Sequence, residues 1–135
     1  MNPIDYLKTL SLNPKQYLVV GSALLSVKGI KSLNDIDLLV HPDLFVELQN
    51  RGWKEEIVNN GDQNWTRLSY DICEAFLEFR EKSFGEWVSD SSLLEVVDGI
   101  SFLKLEEVLR VKKSWHREKD ITDIKAIENY LNKNN

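Results

Sequence analysis

Two aspartates stand two apart in the run Asn34-Asp35-Ile36-Asp37-Leu38-Leu39-Val40. In an extended strand, alternate side chains leave the same face about 6.5–7 Å apart, close enough for rotamers to bring two carboxylates together. Ile36, Leu38 and Val40 take the opposite face and can bury it. Aspartate is depleted in strand interiors, and two aimed together repel unless a cation lies between them. Hard divalent ions, Mg²⁺ or Mn²⁺, suit such a pair because both prefer oxygen ligands. The plainer alternative places Asp35 and Asp37 on the solvated face of an edge strand or in a turn.

A third acid stands at Asp71, within Leu68-Ser69-Tyr70-Asp71-Ile72-Cys73. If this run is one strand, Ser69, Asp71 and Cys73 share a face. Paired beside the Asp35/Asp37 strand, about 4.8 Å away, Asp71 completes a cluster of three. Glu74 is the rival, on the opposite parity unless a bulge intervenes; Asp71 is preferred. Such a trio can clamp a nucleoside triphosphate through metal, with one acid drawing the proton from an attacking hydroxyl.

The elements that must hold these acids can be read from 135 residues, 42% hydrophobic and 29% charged, which suits one packed domain over 1–135. A formal charge of -5 argues against a chain that coats nucleic acid by net charge, while leaving room for a local basic groove. Cys73 is the single cysteine and reads as a buried small hydrophobe in a reducing compartment. The N-terminus carries Asp5 and no apolar stretch of signal-peptide length, and no run approaches the roughly 20 residues of a membrane span. The expectation is a soluble, cytoplasmic protein without membrane contact.

Residues 17–20 form a buried-strand pattern stopped by Gly21, followed by a short helix over 22–28 that ends at Gly29. A second strand covers 36–40, and Pro42 opens a helix that stops at Arg51-Gly52. Residues 53–58 and 65–73 flank the turn-rich NNGDQN and predict a hairpin, with 74–79 prolonging its second strand. A strand over 93–97, a turn at Asp98-Gly99, and helices near 104–115 and 120–132 complete the pattern, with a frayed tail at residues 133–135. The fold class is α/β (α+β): a small mixed sheet flanked by helices.

Val19-Val20-Gly21-Ser22, twelve residues, then Asp35-Ile36-Asp37-Leu38 resembles the signature of the DNA polymerase β-like nucleotidyltransferase superfamily. The resemblance implies that Gly21 and Ser22 cradle phosphate at a helix N-terminus, that Asp35 and Asp37 hold metal, and that Asp71 matches the third acid of a later strand. Further on, Lys112, Arg117, Lys119, Asp120 and Asp123 are spaced K-x4-R-x-K-D-x2-D before an apolar helix. This is similar to the tail of small bacterial nucleotidyltransferase-like proteins, including relatives of abortive-infection toxins. It implies that the lysine and aspartate positions of this motif lie near the active site, with Lys112, Arg117 and Lys119 expected to bind the nucleotide, and it brings in a toxin or defence setting. The chain departs from larger members in having no room for an appended helical domain, so either the nucleotide is held loosely or a homodimer or partner protein completes the site. Residues 23–34 also lack an arginine that some toxin relatives carry shortly after Gly-Ser; Lys28 and Lys31 could substitute, and the departure leaves the acceptor open, not the reaction type.

Plainer readings stand beside these. The segment RVKKSWHREK has five basic side chains and one acid, and serves either a triphosphate or RNA groove or a solvated helix end favoured by its dipole. For Asp120 and Asp123, capping and first-turn roles in the last helix lead. His41 reads as a turn residue, His116 as a surface histidine, and the four tryptophans as core or interface anchors. The function expected is Mg²⁺- or Mn²⁺-dependent transfer of a nucleoside monophosphate from an NTP to a hydroxyl of RNA (tRNA above all), a protein or a small molecule. The alternative is an inactive binding or sensor module on the same scaffold, acting through a partner.

Overall fold

A computed structural model describes residues 2–61 and 63–133. Asp62, in the expected hairpin turn, and Asn134 and Asn135, in the expected tail, lie outside the described residues; Lys133 closes the last helix. The mixed α/β class is as expected. Six helices accompany a seven-stranded mixed sheet and a small two-stranded one among the described residues.

The chain opens with α1 (Pro3–Thr9), whose first turn is fixed by Pro3 and by the Asn2 side chain accepting from the Ile4 amide. This helix was not foreseen, being too short to display a period. A 3₁₀ turn leads into β1 (Tyr17–Val20), and α2 (Ala23–Val27), β2 (Ile36–Val40) and α3 (Pro42–Asn50) follow. His41, read as a turn residue, caps α3, its Nδ1 accepting from the Asp43 amide.

The hairpin is β3 (Lys54–Asn60) and β4 (Gln63–Tyr70), and β5 (Cys73–Phe76) runs back against β4. Then come β6 (Glu78–Phe79), β7 (Lys82–Ser83) and α4 (Phe84–Val88), the last held by a reciprocal capping box between Ser83 and Glu86. The final elements are β8 (Leu94–Val97), β9 (Ile100–Leu103), α5 (Leu105–Trp115) and α6 (Ile121–Lys133). β9 was also missed: its four residues lie between a strong turn signal and a strong helix, and the Ile100-Ser101-Phe102 alternation is too short to single them out. α5 stops at His116, which takes the left-handed conformation at φ 53°.

The large sheet has the order β3-β4-β5-β2-β1-β9-β8. β2 is therefore its central strand, antiparallel to β1 and parallel to β5. Ile36, Leu38, Leu39 and Val40 are all fully buried, as are Leu18 and Ala75 beside them. A strand buried on both faces reads as a nearly continuous apolar run, and Asp37 is the one interruption. The edge-strand alternative for this acid is thus removed. Cys73 is buried, and burial pushes its thiol up to about 12, so it packs as a small hydrophobe. Among the described residues no helix is long and apolar enough to cross a membrane.

Candidate functional site

At the carboxyl end of β1, beside the start of β2, a cavity of about 370 Å³ opens. Its walls include Gly21 and Ser22 after β1, Asp35 and Asp37, Glu74 on β5, and side chains from α5 and α6. Asp37 lies opposite Val20 on one side and opposite Glu74 on the other. Directly opposed residues share a face, so Asp37 and Glu74 project together. Asp35 falls one residue before β2 and is exposed at the mouth rather than inside the strand.

Burial, reinforced by the charges of Glu74 and Asp35, pushes the Asp37 carboxyl up to about 6, against the opposing pull of Lys112 and Arg67. Gly21 meets it closely. A Cβ added there would lie 2.6 Å from Asp37 Oδ2, and the Gly21 φ of +75° disfavours any side chain. The glycine thus lets backbone close in on a half-buried carboxylate.

Asp71, the preferred third acid, is not among the cavity-lining residues. The expected single strand over 65–73 is two strands. β4 ends at Tyr70, Asp71 turns the chain at φ 53°, and Cys73 pairs back with Tyr70. Asp71 is left at the tip of that turn, where the Tyr6 hydroxyl donates to its Oδ2 at 2.8 Å. The reversal puts Glu74 opposite Asp37, so the rival acid occupies the place assigned to Asp71, without a bulge. The turn was hard to foresee because Asp71-Ile72 contains no glycine, although aspartate tolerates the left-handed region. We expect Glu74→Gln to weaken Mg²⁺ binding at least several-fold and Asp71→Asn to leave it unchanged. Isothermal titration of the two variants checks this, and the reverse ranking would restore Asp71.

The C-terminal motif folds onto the same cavity. Lys112 is buried on α5 between two acids, its Nζ 3.2 Å from Asp120 Oδ1 and 3.3 Å from Asp123 Oδ2. Arg117 also binds Asp120, with Nη2 donating to Oδ1 at 3.1 Å. Lys31 donates to Asp123 at 3.1 Å, and the Ser22 hydroxyl reaches Asp123 Oδ2 at 3.5 Å. Burial acts to raise the Asp120 carboxyl, but Arg117 and Lys112 hold it below its ordinary value. Asp123 does occupy the first turn of α6 and Asp120 a 3₁₀ turn before it. These are the expected first-turn and pre-helix positions, and the same carboxylates also form buried ion pairs with Lys112.

The remaining expected residues divide. Lys119 lines the cavity and is exposed. Lys28 is engaged elsewhere, 2.6 Å from Glu95, whereas Lys31 lies at the site. Ser22 precedes a helix of five residues and its side chain makes no cap bond there, so the expected helix-terminal cradle reduces to the Gly21-Ser22 backbone and hydroxyl. Trp53 and Trp87 are core residues, but Trp115 and Phe79 line the cavity, a role missed because aromatic residues read first as core.

Among the described residues no three His, Cys, Asp or Glu side chains form a ready metal cluster. The donor chemistry still fits Mg²⁺, which is commonly held by one or two carboxylates together with waters and ligand phosphates. Asp37 and Glu74 supply such oxygens from opposed positions, with Asp35 at the mouth; Arg67 Nη1, 3.5 Å from Glu74 Oε2, offsets part of their repulsion, and a divalent cation would relieve the rest. Compared with protein-family models, curated proteins and solved structures, the chain gives no match.

Proposed function

We propose that the protein is a nucleotidyltransferase that transfers a nucleoside monophosphate from an NTP to a hydroxyl acceptor. The observation that carries this reading is the packing of Asp37 at the centre of the sheet. It is opposed by Glu74, abuts the side-chain-free Gly21 at the end of β1, and opens onto a cavity bearing cations. A carboxylate pushed up to about 6 in a central strand weakens the fold unless it serves a ligand.

Asp37 and Glu74, with Asp35, would hold Mg²⁺ or Mn²⁺, which when bound neutralises phosphate charge and strengthens both the electrophile and the nucleophile. The Gly21 backbone approaches the phosphates, and Lys112, Arg117 and Lys119 stabilise their charge. The acceptor oxygen attacks the α-phosphorus, the bond from that phosphorus to the bridging oxygen breaks, and pyrophosphate leaves. Glu74 would take the hydroxyl proton. Positioning and electrostatics supply most of the rate in such transfers. The acceptor is a hydroxyl of RNA, a protein or a small molecule, and a second subunit or partner would wall the open side. A toxin or defence setting rests on the sequence resemblance alone.

The test is calorimetric titration of each NTP with Mg²⁺ into wild type and into an Asp35→Ala/Asp37→Ala variant. Metal-dependent binding lost in the variant is expected, followed by pyrophosphate release when an acceptor is supplied. Absence of NTP binding with any divalent ion sinks the proposal. A second reading, a nucleotide-binding module without turnover, draws support from Lys112: both of its acidic neighbours already neutralise it. Tight NTP binding with no pyrophosphate release from any acceptor class would favour that reading.

A further inference from the structure

One wall of the cavity is chemically unlike the rest. Trp115, the last residue of α5, is half-buried, and the guanidinium carbon of Arg117 lies 4.0 Å from the centroid of its ring. Arg117 is fixed in that position by Asp120, yet 38% of its side chain stays exposed. A planar guanidinium held against an indole presents a flat, cationic and polarisable surface, which stacks on aromatic faces as a lysine cannot.

The segment beside this wall is a tight turn. Arg80 and Glu81, at the β6–β7 turn, both take positive φ, 53° and 66°. Positive φ at both central residues is what a two-residue hairpin turn requires, and without glycine it is held by the Phe79–Lys82 pairing around it. Arg80 donates to Ser114 Oγ at 2.9 Å and its guanidinium carbon is 5.6 Å from the Trp115 ring. Phe79, one residue earlier, meets the same indole edge-on at 6.1 Å and also lines the cavity. The turn therefore carries both Phe79 and Arg80 to the indole that Arg117 stacks on. A small crevice shared by Gly21, Phe79 and Trp115 joins this wall to the end of β1.

We propose that the Trp115–Arg117 stack, with Phe79 beside it, is a base subsite that takes the nucleobase of the triphosphate, with purines favoured for their larger stacking surface. This rests on the nucleotide reading above and adds to it the part of the ligand that carries selectivity. A site for phosphate alone needs cations and backbone amides. A clamped indole and phenyl ring on its wall serve a ligand with a flat aromatic end.

The experiment compares calorimetric affinities for Mg²⁺-ATP, Mg²⁺-UTP and Mg²⁺-tripolyphosphate, which has the charge but no base. Wild type is expected to bind ATP about tenfold or more tighter than tripolyphosphate, within the range of single base–aromatic stacks, with UTP between them. Trp115→Ala should reduce ATP binding to the tripolyphosphate level and leave tripolyphosphate affinity unchanged. Trp115→Phe, which keeps a ring and guards against a folding defect, should recover part of the difference. Equal wild-type affinity for ATP and tripolyphosphate overturns the subsite while leaving the nucleotide site standing. A Trp115→Ala variant that loses both ligands in equal measure overturns it too, since the indole would then be structural. Failure of wild type to bind either ligand removes the nucleotide reading itself.

Discussion

Asp37→Asn is expected to make the protein more stable at pH 8 while abolishing divalent-dependent ligand binding. The folded-state carboxyl titrates at about 6 against an ordinary value of 3.8. Between those values the native state holds a proton that the unfolded chain has lost, so stability falls as pH rises. Above pH 6 the whole penalty is present. At roughly 1.4 kcal/mol per pKa unit, the shift corresponds to about 2–3 kcal/mol. An asparagine keeps the shape and removes the charge that burial, Glu74 and Asp35 oppose.

Urea denaturation of both proteins at pH 4, 6 and 8 provides the measurement. The variant's advantage should be small at pH 4 and largest at pH 8. Saturating Mg²⁺ should close the gap by stabilising wild type only, because a ligand that binds only the native state adds RT ln(1 + [L]/Kd). A variant no more stable than wild type at pH 8, or an advantage that does not vary with pH, would contradict the prediction. The combination tests more than a carboxylate deletion would, since it requires the acid to be unfavourable for the fold and necessary for the ligand.

The reason this acid could be found in the sequence is the reason it destabilises. Asp37 breaks an otherwise unbroken apolar run, Ile36-Asp37-Leu38-Leu39-Val40, and Gly21-Ser22 follows an equally apolar one. Such interruptions are visible because strand periodicity is local. The mixed sheet with its flanking helices could likewise be read from alternating runs and turn residues. The third acid could not be read in the same way. Its placement depends on whether the chain reverses at Asp71-Ile72, and a two-residue reversal without glycine inverts every parity assignment beyond it. Glu74 gained its position from register with β2, a non-local pairing. The C-terminal motif divided in a similar way. The spacing of Lys112, Asp120 and Asp123 was legible, but which charges meet was set by the packing of α5 on α6, which no local pattern encodes. Phe79 and Trp115 needed the β6–β7 turn, four residues with no signal of their own.

Lys112→Met is expected to be the most destabilising single substitution at the site. Removing one partner of a buried ion pair leaves uncompensated charge, typically costing 3–5 kcal/mol. Here one ammonium serves both Asp120 and Asp123, themselves 3% and 9% exposed. Asp120 keeps Arg117 and Asp123 keeps Lys31, so the expected loss at pH 7 is near the lower end, about 3 kcal/mol. The pH dependence should distinguish this from a packing defect. In wild type Asp120 is held below its ordinary value, so its contribution is present above pH 3.8 and lost as pH falls through the folded value. Without Lys112 that contribution shrinks, and the gap between variant and wild type should narrow on acidification. Adding Asp120→Asn and Asp123→Asn to Lys112→Met should recover much of the stability, because a neutral replacement of the whole network has no charge left to solvate. If Lys112→Met instead remains within about 0.5 kcal/mol of wild type, the scale of an ordinary surface substitution, and loses only NTP binding, then the lysine is retained for the triphosphate. The two acids would then hold it ready for the ligand, and α5 would dock on α6 through its apolar contacts alone.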